Sequence, residues 1–263
     1  MYAYYNIEKD KKIDPIKFLP MGLPYIVFNL KDPFSIHKSN LNKGILEDGN
    51  LIVGQMVNYY YLVPQGTLTS LSVIFQPTGL YRLLNVPVHE LIDYGYSVED
   101  ILKNKLRPLY ERLLGENKES FELVRYLDEF FIAELPSTNR QYEFINHAIN
   151  YIHNTKACVT INQLTDLVSI SGRTFRRRFL ESVGISCKRY ICLRRLNHIL
   201  NAVKKQQPLE INWGKVACCS GYYDQMHFIK SFKQFCGENP TDYMNRYNNP
   251  RHALEQYFLS ASE

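Results

Sequence analysis

One spacing of aromatic and glycine residues occurs twice in this chain, and it limits the fold more than any other feature. Phe175, Phe179, Gly184 and Tyr190 recur as Phe228, Phe232, Gly237 and Tyr243, so F-x3-F-x4-G-x5-Y is repeated at a shift of 53 residues. Aromatics four apart lie on one face of a helix, and a glycine shortly beyond them is a common helix stop. Ser171 falls on Asp224, two strong N-cap residue types at equivalent places. A short helical segment precedes each cap, INQLTDLV in one copy and NWGKVACC in the other, and Thr160-x-x-Gln163 forms a capping box before the first. Helix, tight turn and capped helix with an aromatic inner face predict a helix-turn-helix unit in duplicate. The second helices are expected at about 172–183 and 225–235, with Phe175, Phe179, Phe228 and Phe232 as the module cores.

The outer faces of those helices carry the chemistry. With Phe175 inward, Arg173 and Arg177 point away and Arg176 sits on the outward flank. On the second helix Met226, Lys230 and Lys233 point away from Phe228 and Phe232, with Gln225 near the N-terminal edge. Arg and Gln are the usual readers of guanine and adenine edges in the major groove. A solvated basic face is the plain alternative for one such helix, and duplication argues against it.

Charge is divided along the chain in the same sense. Residues 1–137 hold 14 Lys and Arg against 17 Asp and Glu, whereas residues 138–263 hold 17 against 9. A basic surface confined to the half with the repeats is compatible with nucleic acid. Between the repeats, SCKRYICLRRLNHILNAVKKQQ places Tyr190, Leu193, Leu196 and Leu200 in one stripe, with Lys188, Arg189, Arg194 and Arg195 outside. A continuous helix here would be about 30 Å long, near the roughly 34 Å separating successive major grooves on one face of B-DNA.

With 263 residues the chain suits two domains. Pro136-Ser137-Thr138-Asn139 is the best boundary, which gives a first domain at 1–136, a second at 140–250 and a tail at 251–263. The first half predicts an α+β domain, a mixed or antiparallel sheet followed by helices. PYIVFNL is strand-like, LIVGQMVNYYYLV (51–63) and LTSLSVIF (68–75) have hairpin-like spacing across Pro64 and Gly66, and Leu71, Val73 and Phe75 alternate as on a half-buried strand. From Val98 to Leu135 the apolar pattern is helical. Tyr59, Tyr60 and Tyr61 read as strand packing, with a ligand pocket as the alternative.

Several chemistries lack a constellation in the sequence. The six cysteines form no CxxC pair and read as reduced thiols behaving as small hydrophobes. Asp224 and His227 stand three apart with no nucleophile or metal partner, so a helix cap explains them better than catalysis. His37 and His89 are lone histidines, and Trp213 reads as core or a phosphate-side contact. No catalytic residues, metal or cofactor are expected. No apolar run approaches membrane-spanning length and MYAYYNIEKDKK lacks the order of a signal peptide, so a cytoplasmic protein is expected.

Two segments carry a resemblance. ISGRTFRRRFLESVGIS at 170–186 and VACCSGYYDQMHFIKSFKQFCGENPTDY at 216–243 are similar to the DNA-binding domain of AraC/XylS-type bacterial transcription regulators, two helix-turn-helix modules joined by a long helix. The likeness covers roughly residues 142–247. More loosely, VGQ at 53–55 and FQPTGLYRLL at 75–84 resemble an N-terminal domain fused to some of these regulators.

The resemblance implies base contacts from Arg173, Arg176 and Arg177 in the first module and from Gln225, Met226 and Lys230 in the second. It implies phosphate contacts near the helix starts after Gly184 and Gly237, at Ser186, Lys188, Asn239 and Thr241. The partners implied are double-stranded DNA, a small-molecule effector in the N-terminal domain, a second copy in a homodimer, and RNA polymerase if the protein activates. Thr165 and Ser169 stand where the pattern has Ala and Gly, which predicts an altered first turn, and Met226 replaces a small polar residue, which suits contact with a thymine methyl. The alternative is an effector-binding or interaction module whose repeats no longer bind DNA.

Overall fold

The computed structural model describes residues 2–7, 15–38, 44–47, 50–91, 95–102, 106–114, 120–134, 142–203 and 211–247. The boundary read at 136–139 and the tail at 251–263 lie outside the described residues.

The N-terminal half is built on two antiparallel sheets. One takes β1 (Tyr2–Ile7), β8 (Leu68–Ile74), β3 (Tyr25–Asn29), β6 (Leu51–Val53) and β9 (Gly95–Ser97), paired in that order. The other takes β2 (Ile16–Phe18), β7 (Tyr60–Pro64), β4 (Phe34–Lys38) and β5 (Gly44–Glu47). Ile16, Phe18, Phe34, Leu51, Val53, Tyr60 and Leu68, drawn from both sheets, form a core of their own between them. The opposite face of the five-stranded sheet presents Ile26, Phe28, Ile52, Leu71 and Val73 to the helices, where they join the larger core.

This arrangement corrects three details of the sequence reading. The stretch 51–63 divides into β6 and β7, one in each sheet. β7 and β8 do not pair; the Pro64–Gly66 turn carries the chain from one sheet to the other, so the expected hairpin is absent. And β8 is buried along its whole length, because Leu68, Ser70 and Ser72 face the space between the sheets while Leu71 and Val73 face the helices.

Helices follow, as the periodicity predicts: α1 (Gly79–Leu84), a 3-10 turn at Val88–Leu91, α2 (Val98–Leu102), α3 (Arg107–Leu113) and α4 (Ser120–Glu134). The C-terminal half is helical among the described residues. It runs through α5 (Glu143–Asn154), α6 (Ile161–Val168), α7 (Gly172–Val183), α8 (Cys187–Val203), α9 (Trp213–Cys219), α10 (Gln225–Cys236) and α11 (Pro240–Tyr247). The stripe of α5 is buried as expected through Ile145, Ile149 and Ile152, with Tyr142 buried just before it.

Helix α8 joins the modules and differs from its amphipathic reading. At 17 residues it is about 25 Å long. Tyr190, Leu193, Leu196 and Leu200 are buried as expected, yet Arg194 is also buried, at 5% exposure, and Arg189 and Arg195 are partly covered, leaving Lys188 exposed. Arg195 donates within the C-terminal half, to the Gly221 and Ala157 carbonyls (both 2.9 Å), whereas Arg189 and Arg194 are covered by the N-terminal domain. The Met21 carbonyl accepts from Arg194 Nη1 (3.2 Å) and from Asn197 Nδ2 (2.9 Å), and the Val57 carbonyl accepts from Arg189 Nη2 (3.1 Å). Gly22, at φ +76°, brings this loop so close that a Cβ would sit 3.3 Å from Leu193 Cδ2.

Candidate nucleic-acid interface

The local chemistry that shapes each module is as the sequence implies. Thr160 completes its capping box with Gln163 at the start of α6. Ser171 Oγ accepts from the Thr174 N–H (3.4 Å) to start α7, and the Asp224 carboxylate accepts from the His227 N–H (2.7 Å) to start α10. Gly184 and Gly237 end these helices in the left-handed conformation, at φ 96° and 76°. Phe175, Phe179, Phe228 and Phe232 are each fully buried. In the second module Trp213 stacks on Phe228, their ring centroids 5.7 Å apart, so it is core.

The outward faces hold the residues read as base contacts. Arg173, Arg176 and Arg177 are exposed on α7, and Gln225, Met226 and Lys230 on α10. Arg177 Nη1 pairs with Glu181 Oε1 at 3.0 Å, and Glu181 also accepts from Arg178, whose guanidinium hydrogen-bonds Tyr142 Oη at 2.8 Å. Glu181 thus fixes where Arg177 starts from on its helix.

The residues read as phosphate contacts divide into two kinds. Lys188 is exposed, and so is Ser186, whose Oγ caps α8 through the Arg189 N–H (3.3 Å). Asn239 caps α11 by accepting from the Asp242 N–H (2.9 Å), and Thr241 Oγ1 accepts from Trp213 Nε1 (3.1 Å). These two side chains already serve the fold. Between the start of α8 and α10 a cleft of about 490 Å³ brings Ser186, Lys188 and Arg189 together with His227 and Lys230. Arg189 in this cleft is a cation that the sequence assigned only to an outer face. No periodicity marks it, because its place depends on Val57, 132 residues earlier.

Both modules touch the N-terminal domain at the glycines that end their outward helices. A Cβ on Gly184 would lie 3.3 Å from Val88 Cγ1, and one on Gly237 would overlap the Tyr59 ring. Beside Gly237, Lys17 from β2 pairs with Glu238, which also accepts from Arg246 Nη2 (2.9 Å), and the Lys17 ammonium stands 4.6 Å from the centre of the Tyr59 ring. Burial alone would raise the Glu238 pKa; the hydrogen bonds from Arg246 and Lys17 outweigh it and hold the carboxyl below its usual range. Near Gly184, Tyr81 of α1 donates to Tyr142 Oη (2.7 Å), the oxygen that Arg178 of α7 also reaches.

Between the two sheets lies a cavity of about 40 Å³, lined by residues such as Phe18, Phe34, Val53, Leu62 and Leu68 with Tyr25 and Tyr60. That is room for about three waters. The Tyr25 and Tyr60 hydroxyls meet at 2.7 Å, and burial pushes the Tyr25 phenol up to about 12. Of the tyrosine run, then, Tyr60 lines this cavity while Tyr59 faces the C-terminal half.

Comparison with known proteins places both halves. A model described as a helix-turn-helix domain matches residues 164–246, and one described as a domain of unknown function (DUF6597) matches residues 1–97. The chain is similar to the crystal structure of ToxT from Vibrio cholerae at 12% identity and a TM-score of 0.50, over 95% of this chain and 99% of that one. A structure of ToxT with an unsaturated fatty acid bound is similar at 11% identity and a TM-score of 0.48, over 93% and 94%. The AraC-like transcriptional activator CuxR follows at 16% identity and a TM-score of 0.26, over 75% and 73%. The ToxT likeness is one of fold. No curated protein matches the chain.

Proposed function

The chain carries a helix-turn-helix domain of the AraC type at its C-terminus behind a DUF6597 domain, and from that premise we propose that it is a sequence-specific DNA-binding transcription regulator. On this reading α7 and α10 enter adjacent major grooves. Arg173, Arg176 and Arg177 read one, and Gln225, Met226 and Lys230 read the other. Ser186, Lys188, Asn239 and Thr241 hold phosphates in between and beyond. The N-terminal domain senses a signal and contributes to a homodimer.

The observation that carries the reading is the pairing of two capped helices, each with fully buried aromatics on one side and exposed base-reading side chains on the other. A solvated helix face has no need of a glycine-stopped, side-chain-capped partner with the same arrangement. The sensor assignment is supported by the apolar cavity between the sheets. An effector suited to it is a largely apolar molecule whose polar end reaches the Tyr25 and Tyr60 hydroxyls, and its arrival would part the two sheets, since about 40 Å³ holds only a few waters.

Selection of binding sites from random double-stranded DNA with the full chain, followed by a salt titration on the selected site, tests this. A regulator recovers a two-part site, and its affinity falls by orders of magnitude between about 50 and 200 mM salt. Recovery of no consensus would reject the reading.

A further inference from the structure

The two modules differ by one residue, and it lies in the turn. Thr160 and Asn212, the N-caps of α6 and α9, stand 52 residues apart, whereas Ser171 and Asp224, the N-caps of α7 and α10, stand 53 apart. In the first module the left-handed residue is Ser169 (φ 53°), followed by Ile170, which packs on the core, and then the cap. In the second the left-handed residue is Gly221 (φ 72°), followed by Tyr222, then Tyr223, then the cap.

The residue before an N-cap commonly packs an apolar side chain back on the fourth residue of the helix. In the second module Tyr222 does this from one position further back, its ring edge-on to Phe228 at 5.3 Å and only 6% exposed. Tyr223 is therefore released from packing. It is 94% exposed, and Met226, the second residue of α10, is 73% exposed; these are the highest values for large apolar side chains among the described residues. Both stand at the end of α10 that leads into the groove on the reading above. The corresponding end of α7 presents Arg173 and has no counterpart of Tyr223.

We propose that Tyr223 and Met226 together form an apolar reader of thymine methyl groups in the groove bound by the second module. The first module then selects its half of the site through arginine hydrogen bonds, and the second through methyl contact. The thymine C5-methyl is the apolar feature that the major groove displays. This inference rests on the DNA-binding reading, and its test is arranged to fail separately from it.

The test measures affinity of the full chain for its selected site and for the same site with thymines of the second half replaced by uracil, which removes the methyl and keeps the hydrogen-bonding edge. About fourfold is expected for each methyl that the two side chains bury, from about 0.8 kcal/mol per buried carbon. Tyr223→Ala and Met226→Ala should bind more weakly and lose sensitivity to the replacement, with unchanged melting because both side chains are exposed. Tyr223→Phe should behave as the parent; a loss as large as that of Tyr223→Ala would assign the hydroxyl to a phosphate and overturn methyl reading. A parent chain that binds its site but ignores the uracil replacement also overturns it, leaving DNA binding intact. A chain that selects no sequence would instead remove the DNA-binding reading on which the proposal stands.

Discussion

Lys17 and Glu238, 221 residues apart in the chain, share a largely buried ion pair that ties the second strand of the N-terminal domain to the residue just past the second outward helix. Lys17 is 5% exposed and Glu238 is 19% exposed, so neither charge is well solvated. Removing one partner of such a pair strands the other in a poorly hydrated place. Glu238→Ala should lower stability by about 3 kcal/mol, read as a shift in the midpoint of urea unfolding. Lys17→Met, which takes the charge away together with its need for a partner, should cost less. Equal losses from both would show that packing rather than charge holds this contact.

Acid should weaken the fold through His153. Its ring nitrogen lies 2.9 Å from Tyr190 Oη, and burial first, then the charges of Arg194 and His198, pull its pKa from 6.5 down to about 4. The folded state thus keeps it neutral while the unfolded chain takes up a proton near pH 6.5. Stability therefore falls as pH drops from 7 towards 5, by roughly 1 kcal/mol or about 2–4 °C in Tm once partial solvent contact is allowed for. His198 is lowered in the same direction and adds to the slope. His153→Gln should flatten the dependence; an unchanged slope would place its origin elsewhere.

Arg177 and Lys188 should respond differently to removal. Arg177→Ala is expected to cost about 1–3 kcal/mol on the cognate site and to relax base preference at one position. Lys188→Ala should weaken all sequences alike and reduce the salt slope by about one. Competition binding against a panel of single-base variants separates the two. A uniform loss for Arg177→Ala would mean that it touches phosphate only.

Ser169 holds a left-handed backbone conformation, φ 53°, without being glycine. Ser169→Gly removes the Cβ strain but adds freedom to the unfolded chain, and the balance should stabilise by about 0.5–1 kcal/mol. Thermal melting of the variant measures it. Destabilisation would mean that the serine hydroxyl or Cβ makes a contact worth more than the strain.

What could be read from the sequence follows from how local each feature is. Caps, glycine stops and buried aromatics act within a dozen residues, so both modules, their caps at Ser171 and Asp224 and the exposed positions of α7 and α10 were legible. The sheet switch between β6 and β7 is not, because the apolar run through Leu51 and Tyr60 looks the same whether its halves pair or part. The burial of Arg194 was hidden for a similar reason: its acceptor, the Met21 carbonyl, lies 173 residues away. Tyr223 lies between these cases. The spacing of the two pairs of caps, 52 against 53, is present in the letters, but the phenylalanines, caps and glycines of the outward helices all keep one shift of 53, which hides the extra residue in the turn.

The covering of α8 by the loop around Met21 and Gly22 has a consequence for modular engineering. Cut away from the first half, residues 142–247 would bring with them a helix whose Arg194 and Asn197 had lost their acceptor and whose Leu193 and Tyr190 had lost their lid. The C-terminal half is thus not a cassette to be grafted onto another sensor unchanged. Any chimaera must either carry the Met21–Gly22 loop across or redesign the face of α8 for water.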